Sequence, residues 1–220
     1  MDKPLLIFDY DGVLVDTTKF LEVEVHKKLN ELGYNIPWSN EEMSDLFDEN
    51  IIVALIERGL KPKDMCTIWE HIQNVSKDRE ISLCEGVSQM LLALDSKCSM
   101  AIVSSNSSET IRNVLGRLGI LQHFSTISGG DEEMGKVERM RKCMSGHGAT
   151  EDSTIYIGDT VGDMKEAREA GVTPIAVAWG LHPAARLAGA QPELIIMEPS
   201  ELVDYVGALS RAKSEAEAPL

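Results

Sequence analysis

Residues 5–16 read LLIFDYDGVLVD, an apolar run that ends directly in two carboxylates. A run this short and this apolar is typical of a strand buried on both faces, as in a parallel sheet. Open α/β sheets bind their ligands at the carboxyl ends of the strands, and Asp9 and Asp11 follow this strand at that end. The segment therefore predicts both a buried sheet and a candidate site at its edge.

Other short apolar runs repeat this pattern along the chain, with a weaker one at residues 124–128; the clear ones are residues 100–103, 154–157, 174–177 and 194–197. Helical patterns separate them, and strand–helix alternation of this kind indicates an α/β, doubly wound parallel sheet (Rossmann-like).

Residues 17–83 break the alternation, because they carry helical stripes and no strand-like run. We predict a helical insertion there, a core formed by residues 1–16 and 84–209, and a disordered tail at residues 210–220.

Composition limits the possible partners. The formal net charge of −15 over 220 residues disfavours nucleic acid and acidic membranes, so a phosphate site would need local positive charge. The four cysteines form no CxxC pair, and residues 1–10 show no signal-peptide pattern. No apolar run approaches the ~20 residues of a membrane span. We expect a cytoplasmic protein, a monomer or homodimer, that acts on a small phosphorylated metabolite.

Asp9 and Asp11 suit metal-assisted phosphoryl chemistry. A hard divalent cation takes oxygen ligands, which the Asp9 carboxylate and the Asp11 backbone carbonyl can supply. The second Asp9 oxygen can then attack phosphorus, and the Asp11 side chain can exchange a proton with the leaving group. Gly12 permits a tight turn beside them. The alternative is that both aspartates only cap a turn.

Three further motifs follow later strands. Asp159 ends the strand at residues 154–157, and Asp163 comes four residues on, so both can face one cation; Asp159 could instead be a helix cap. Ser104, Ser105 and Asn106 end the strand at residues 100–103 and can hold phosphate with a hydroxyl and backbone N–H groups, although serine and asparagine are also ordinary caps.

Lys136 follows a glycine-containing acidic stretch, residues 129–135, and could neutralise the phosphate and Asp9. Most lysines, however, are solvated surface groups.

In their order along the chain, these motifs resemble those of the haloacid dehalogenase (HAD) superfamily, in its phosphoglycolate phosphatase and β-phosphoglucomutase branch. The resemblance covers residues 4–207 and implies Mg²⁺ as cofactor and residues 17–83 as a cap over the site. The roles it implies are Asp9 as nucleophile, Asp11 as general acid/base, Ser104, Ser105, Asn106 and Gly12 around the phosphate, Lys136 as orienting cation, and Asp9, Asp11, Asp159 and Asp163 as metal ligands.

One departure from the family concerns Lys136, because Val137 follows it where many relatives have proline. Lys142 and Arg139 are the nearby rivals for its role. Asp11 favours phosphorus chemistry, since the dehalogenases lack this second carboxylate.

Three alternatives share the fold: a phosphomutase with the same motifs, a phosphonatase, which would need a cap lysine, and a non-catalytic binding module. Residues 45–50, which we expect to form the cap's specificity loop, contain no lysine. Their acids, Asp48 and Glu49, beside Asn50, favour a neutral, hydroxyl-rich or amine-bearing leaving group over glycolate if they face the site. The opposite possibility is that they face solvent and that Lys19 or another residue supplies a cation.

Overall fold

The structure, a computed structural model, describes residues 3–34, 44–49, 51–77 and 80–216. Six strands form one parallel sheet in the order β3-β2-β1-β4-β5-β6. Their bounds are β1 Leu5–Phe8, β2 Ser99–Val103, β3 Thr126–Ser128, β4 Thr154–Gly158, β5 Thr173–Val177 and β6 Leu194–Ile196. The α/β doubly wound fold predicted from the sequence is confirmed, including its weakest strand.

Nine α-helices connect and cover the strands within the described ranges. Their bounds are α1 Thr18–Glu31, α2 Ile51–Glu57, α3 Pro62–Lys77, α4 Val87–Leu94, α5 Ser108–Arg117, α6 Lys136–Gly146, α7 Val161–Ala170, α8 Ala184–Gly189 and α9 Pro199–Ala216. None of them combines the length and apolar character needed to cross a bilayer.

The side chains of β1 alternate between two hydrophobic clusters. Leu6 and Phe8 pack with helices α4, α5 and α9, whereas Leu5 and Ile7 pack with α6 and α7. All four side chains are buried, because helices cover both faces of a parallel sheet. This burial explains why β1 reads as a continuous apolar run instead of an alternating one.

The register of the sheet brings three strand ends together. Phe8 pairs with Ile102 of β2 and with Ile157 of β4, so the residues that follow these strands emerge at one edge. The sheet order changes direction between β1 and β4, which is where ligands of such sheets bind.

Helices α1 to α3 and the 3-10 turn Leu46–Asp48 all fall within residues 17–83, which we call the helical insertion. Its described helices share an apolar cluster of their own, which includes Val25, Leu29, Leu55 and Ile68 and stays separate from the clusters on the sheet. The connections into and out of the insertion run side by side, since Val15 bridges to Leu83. Residues 35–43 and 50, including part of the expected specificity loop, lie outside the described residues.

The carboxyl-terminal helix is longer than the sequence predicted. Helix α9 continues to Ala216, past the boundary at residue 210 where we expected a disordered tail. Leu202 and Val206 are fully buried against the sheet. This packing stabilises the helix, and the polar residues that follow extend it. Residues 217–220 lie outside the described residues.

Candidate active site

Asp9 and Asp11 lie at the carboxyl end of β1, beneath the helical insertion. The backbone N–H of Asp9 donates to the carbonyl of Ile157 at 2.8 Å, which continues the ladder and fixes its direction. Asp9 Oδ1 is buried and accepts no hydrogen bond from the described residues. Asp11 is held at both oxygens: Thr17 Oγ1 donates to Oδ1 at 2.6 Å and Asn106 Nδ2 donates to Oδ2 at 3.1 Å. Asp11 is therefore positioned, while Asp9 keeps an oxygen available for chemistry.

Lys136 is the first residue of α6 and is buried among carboxylates. Its Nζ lies 2.6 Å from Asp163 Oδ1, 3.4 Å from Asp9 Oδ1 and 3.9 Å from Glu166 Oε2. Its two rivals lie elsewhere. Lys142 is exposed, and the guanidinium of Arg139 donates to backbone carbonyls.

Asp159 follows β4 and is held by backbone groups. The N–H of Leu181 donates to Asp159 Oδ2 at 2.7 Å. Gly12 has a φ of 74°, which favours glycine, and a Cβ there would collide with the Asp159 carboxylate. A Cβ at Gly180 would collide with the same group. The two glycines thus leave the space that the Asp159 side chain occupies.

Asp163 has more hydrogen-bond partners than Asp9 or Asp159. Its Oδ2 accepts from Thr160 Oγ1 at 2.7 Å and from the backbone N–H groups of Asp159 and Thr160. Its Oδ1 accepts from Lys136 and, at 3.3 Å, from Tyr156 Oη. The Thr160 side chain also caps α7, so Asp163 is fixed by the start of that helix.

Burial and mutual repulsion shift the pKa values of these acids. Desolvation raises the pKa of Asp9 to about 7 against the opposing charge of Lys136, and Asp163 and Asp11 add to the rise. Desolvation and the charges of Asp163 and Asp9 hold the pKa of Asp159 well above its usual range. Desolvation also raises the pKa of Asp11, against its hydrogen bonds from Thr17 and Asn106.

The pKa of Asp163 moves the other way. Burial would raise it, but the charge and hydrogen bond of Lys136, with the bonds from Thr160, hold it below its ordinary value. Lys136 itself is desolvated, yet the carboxylates around it raise its pKa and keep it charged.

The carboxylates of Asp9, Asp159 and Asp163 lie close enough to hold one metal ion, with one oxygen from each within 4.8 Å of the others. A small divalent cation prefers such oxygen ligands. It would also offset the repulsion that raises the pKa values of Asp9 and Asp159, and it would be coordinated by Asp9 Oδ1, which accepts no hydrogen bond from the described residues. The residues present therefore fit a bound Mg²⁺. We call Asp9, Asp11, Lys136, Asp159 and Asp163 the charged site.

A cavity of about 560 Å³ opens above the charged site. Ser104 and Ser105 line it beside the five residues of that site. Asn106 and Gly12, which we expected around the phosphate, are not among the residues that line it. Asn106 donates to Asp11, and Gly12 lies against Asp159. Helix α5 begins at Ser108, so residues 104–106 form the loop ahead of it.

Sequence reasoning missed several supporting residues. Arg139, placed only as a rival to Lys136, donates to the carbonyls of Ser104 at 2.7 Å and Ser128 at 3.0 Å and so fixes the loop of residues 104–106. The Tyr156 ring lies beneath Lys136, 5.2 Å from Nζ to the ring centre. Gln73 of α3 donates to Asn106 Oδ1 at 2.8 Å, which ties the insertion to that loop. Spacing along the chain could not have identified these three contacts, since each joins distant segments.

The acids of the expected specificity loop do not all face the cavity. Asp45 and Asp48 bind Arg186 of α8, with Asp48 engaged at both oxygens at 2.9 and 2.6 Å. His182 Nε2 lies 2.9 Å from the carbonyl of Ser44 and secures the same segment. Glu49 lines the cavity, whereas Asn50 lies outside the described residues. Part of this loop is therefore anchored to the sheet side of the molecule.

A family model of haloacid dehalogenase-like hydrolases matches residues 6–177, which contain every residue of the charged site. The chain belongs to this family. Its HAD-like fold and its place among the hydrolases, inferred from the motifs, are confirmed.

Curated relatives cover nearly the whole chain. A phosphoglycolate phosphatase of Synechococcus elongatus is 27% identical over 209 residues, covering 94% of this chain and 98% of the relative. A pyrophosphatase, PpaX, of Oceanobacillus iheyensis is also 27% identical, covering 92% and 96%. Among solved structures, a HAD-like family protein of Streptococcus pneumoniae aligns with a TM-score of 0.78 at 24% identity, covering 92% and 98%. That structural likeness supports the HAD fold.

Proposed function

We propose that this HAD-like hydrolase is a Mg²⁺-dependent phosphatase that hydrolyses a small phosphate monoester through a phosphoaspartyl intermediate on Asp9. The observation that carries the proposal is the buried Oδ1 of Asp9, which accepts no hydrogen bond from the described residues and lies beside a cluster of carboxylates, 3.4 Å from Lys136 Nζ. Relatives named phosphoglycolate phosphatase and pyrophosphatase support phosphate chemistry of this kind.

Asp9, Asp159 and Asp163, with the backbone carbonyl of Asp11, would hold the metal. Bound there, Mg²⁺ would act as a Lewis acid that neutralises charge on the phosphoryl oxygens. Lys136 would supply the second positive charge, since its Nζ already lies 3.4 Å from Asp9. Positive charge placed where the transition state becomes negative is the main source of catalysis in phosphoryl transfer.

In the first step, an Asp9 carboxylate oxygen would attack phosphorus as the bond to the leaving oxygen breaks. Protonated Asp11 would give its proton to that oxygen and release an alcohol. The raised pKa of Asp11 favours the protonated form that this step requires. Thr17 and Asn106 would aim the carboxyl group, and Ser104 and Ser105 would contact the phosphoryl oxygens.

In the second step, Asp11, now a carboxylate, would take a proton from water as the water oxygen attacks phosphorus. The bond between phosphorus and the Asp9 oxygen then breaks, which releases phosphate and restores Asp9. The helical insertion, the proposed cap, would cover the reacting groups and exclude competing water from the first step.

The test is a screen of phosphate monoesters with purified enzyme, measuring released phosphate with Mg²⁺, with EDTA and with Ca²⁺. We expect turnover only with Mg²⁺ and inhibition by Ca²⁺, because Ca²⁺ accepts bidentate carboxylates and can occupy both Asp9 oxygens. Mass spectrometry of acid-quenched enzyme should find the phosphoryl adduct on Asp9.

Two results would contradict the proposal. Full activity in EDTA would remove the metal requirement, and an adduct on another residue would remove Asp9 as the nucleophile. Return of the phosphoryl group to a sugar without phosphate release would identify a mutase.

A further inference from the structure

The cavity above the charged site changes character along its depth. Its floor carries Asp9, Lys136 and Asp163, where phosphate would bind. Its walls, formed mainly by the helical insertion, are apolar. We call this lining the apolar wall; it consists of Leu21, Val25, Phe47, Leu55, Ile56, Pro62, Met65, Ile68, Trp69, Ile72 and Met134. A ligand that fills the cavity therefore has one charged end and one hydrophobic end.

Part of the apolar wall is exposed although its side chains are large. Trp69 and Met134 are each 36% exposed and Ile56 is 41% exposed. These three come from α3, from the loop before α6 and from α2, yet they line the same cavity. Apolar surface that converges from separate elements on one cavity indicates a binding site, whereas single exposed apolar residues do not.

The helical insertion offers no described cation to an acidic leaving group. Its described lysines and arginines, such as Lys19, Arg58 and Lys61, do not line the cavity. Among the described lining residues, the only cations are Lys136 and Arg139 of the sheet side, and both are already engaged. The lining residues of the insertion that carry charge are Glu22 and Glu49. A carboxylate such as that of glycolate would meet like charge there without a counter-ion.

A hydroxyl-rich leaving group suits this wall equally badly. Sugar hydroxyls that leave water need hydrogen-bond partners, and an unpaired buried polar group is costly. The apolar wall supplies few such partners. Asp45 and Asp48, which could have received hydroxyl or amine groups, bind Arg186 instead. Glu22 and Glu49 are then the carboxylates that the described part of the insertion presents to the cavity.

We infer that the substrate is the phosphate monoester of a bulky, largely apolar alcohol, whose hydrophobic part packs between Trp69 and Met134. This inference rests on the proposed phosphatase function and names its substrate class. It replaces the hydroxyl-rich or amine-bearing leaving group that the sequence of residues 45–50 favoured. Trp69 is then a specificity-determining residue.

The experiment compares monoesters of primary alcohols, because their leaving groups have similar intrinsic reactivity. We expect kcat/KM to rise from ethyl to butyl to hexyl phosphate, by about fourfold for each methylene that becomes buried. We also expect 2-phenylethyl phosphate to exceed phosphoglycolate, glycerol phosphate and phosphoethanolamine by at least about tenfold. Equal values for ethyl and hexyl phosphate, or a preference for phosphoglycolate, would overturn the inference and leave the phosphatase intact.

Trp69→Ala tests the wall directly. We expect the ratio of kcat/KM for hexyl over ethyl phosphate to fall by about tenfold, with ethyl phosphate itself changed less than about threefold. Leu92→Ala is the matched control, since Leu92 is 65% exposed on α4 and does not line the cavity. An equal loss for both esters would show a merely structural role for Trp69. Release of phosphate from no ester at all would instead contradict the proposed function.

Discussion

The charged site and the helical insertion place opposite kinds of side chain around one cavity. The charged site consists of buried or partly buried ionisable groups, among which Asp163 is held by Lys136 and Thr160. The insertion contributes apolar side chains that form a cluster of their own, and its acids at Asp45 and Asp48 are bound to Arg186. From this difference we propose that chemistry and selectivity are carried by separate segments and can be altered separately.

Asp9→Asn tests the chemical half of this comparison and should have the largest effect. An amide is a poor nucleophile and a poorer metal ligand than a carboxylate. We expect phosphatase activity to fall by at least about 10³-fold on every substrate, since a covalent nucleophile has no substitute. The measurement is released phosphate under single-turnover conditions.

Asp16→Asn is the control for that variant, because Asp16 is exposed in the same segment. It should keep both activity and Tm. Asp9→Asn should also fold, since the amide is nearly the same size. A variant that retained a tenth of the normal turnover would rule out the covalent mechanism.

Lys136→Met should separate stability from selectivity. Removing the ammonium leaves Asp9 and Asp163 without their counter-ion, and breaking a buried pair costs about 3–5 kcal/mol. We expect the free energy of unfolding to fall by about that amount at neutral pH, with activity down roughly 10²-fold on all esters alike. Denaturant titration and substrate ratios measure the two effects.

Lys142→Met is the matched control on the same helix, where Lys142 pairs with Glu132 at 2.9 Å in solvent. Exposed pairs contribute about 0–1 kcal/mol. Equal destabilisation by the two variants would mean that Lys136 does not balance buried charge. A change in the order of preferred substrates would show that the charged site also selects.

The two regions also differ in how far their sequence predicts them. Asp9, Ser104 and Asp159 follow apolar runs, and parallel strands of matched register bring such residues to one edge. The fold and the gathering of these residues were therefore predictable. Tyr156 and Gln73 were not, because their contacts, with Lys136 and with Asn106, join separate segments of the chain. No local sequence pattern predicts contacts of this kind.

The insertion shows the same limit more strongly. The acids of residues 45–50 indicated a polar specificity loop, but Asp45 and Asp48 pair with Arg186, about 140 positions further along the chain. Thr17 occupies the N-cap position of α1, but its hydroxyl donates to Asp11 and makes no cap bond. Helical periodicity identified which apolar residues share a helix face but not which of them surround the cavity. Selectivity depends on that missing information.

The stability of the metal-free protein should depend on pH through the charged site. The pKa of Asp9 is raised from 3.8 to about 7 in the folded state, so folding favours its protonated form. The contribution of Asp9 to the free energy of unfolding is therefore fully present below about pH 4 and is lost as the pH rises through about 7. The pKa of Asp163 is lowered, so its contribution is lost only in stronger acid, outside this window.

We expect Tm in EDTA to fall by about 5 °C between pH 5 and pH 8, and excess Mg²⁺ to reverse most of the loss. Asp9→Asn should make the EDTA profile less steep without flattening it, because the pKa values of Asp159 and Asp11 are raised as well. Asp204→Asn, an exposed change on α9, should leave the profile unchanged. A profile in EDTA that rises toward pH 8 would contradict the repulsion described for the charged site. Thermal unfolding across this pH range measures each case.

Arg186→Met should have the smallest effect and should act on selectivity alone. Its guanidinium binds Asp45 at 2.5 Å and Asp48 at 2.6 Å and so fixes the segment that carries Phe47 and Glu49 to the cavity. The side chains of Arg186, Asp45 and Asp48 are all partly exposed, so the free energy of unfolding should fall by at most about 1 kcal/mol. We expect KM for hexyl phosphate to rise about threefold with kcat unchanged, because Phe47 loses its fixed position while Asp9 and Asp11 do not.

Asp48→Asn should give a smaller rise in KM, and the double variant should add little to the effect of Arg186→Met, since both substitutions remove the same interaction. Arg141→Met, an exposed change on α6, is the control and should alter neither constant. A fall in kcat on ethyl phosphate would show that residues 45–50 affect the catalytic step. The proposed division of chemistry and selectivity between the charged site and the insertion would then be wrong.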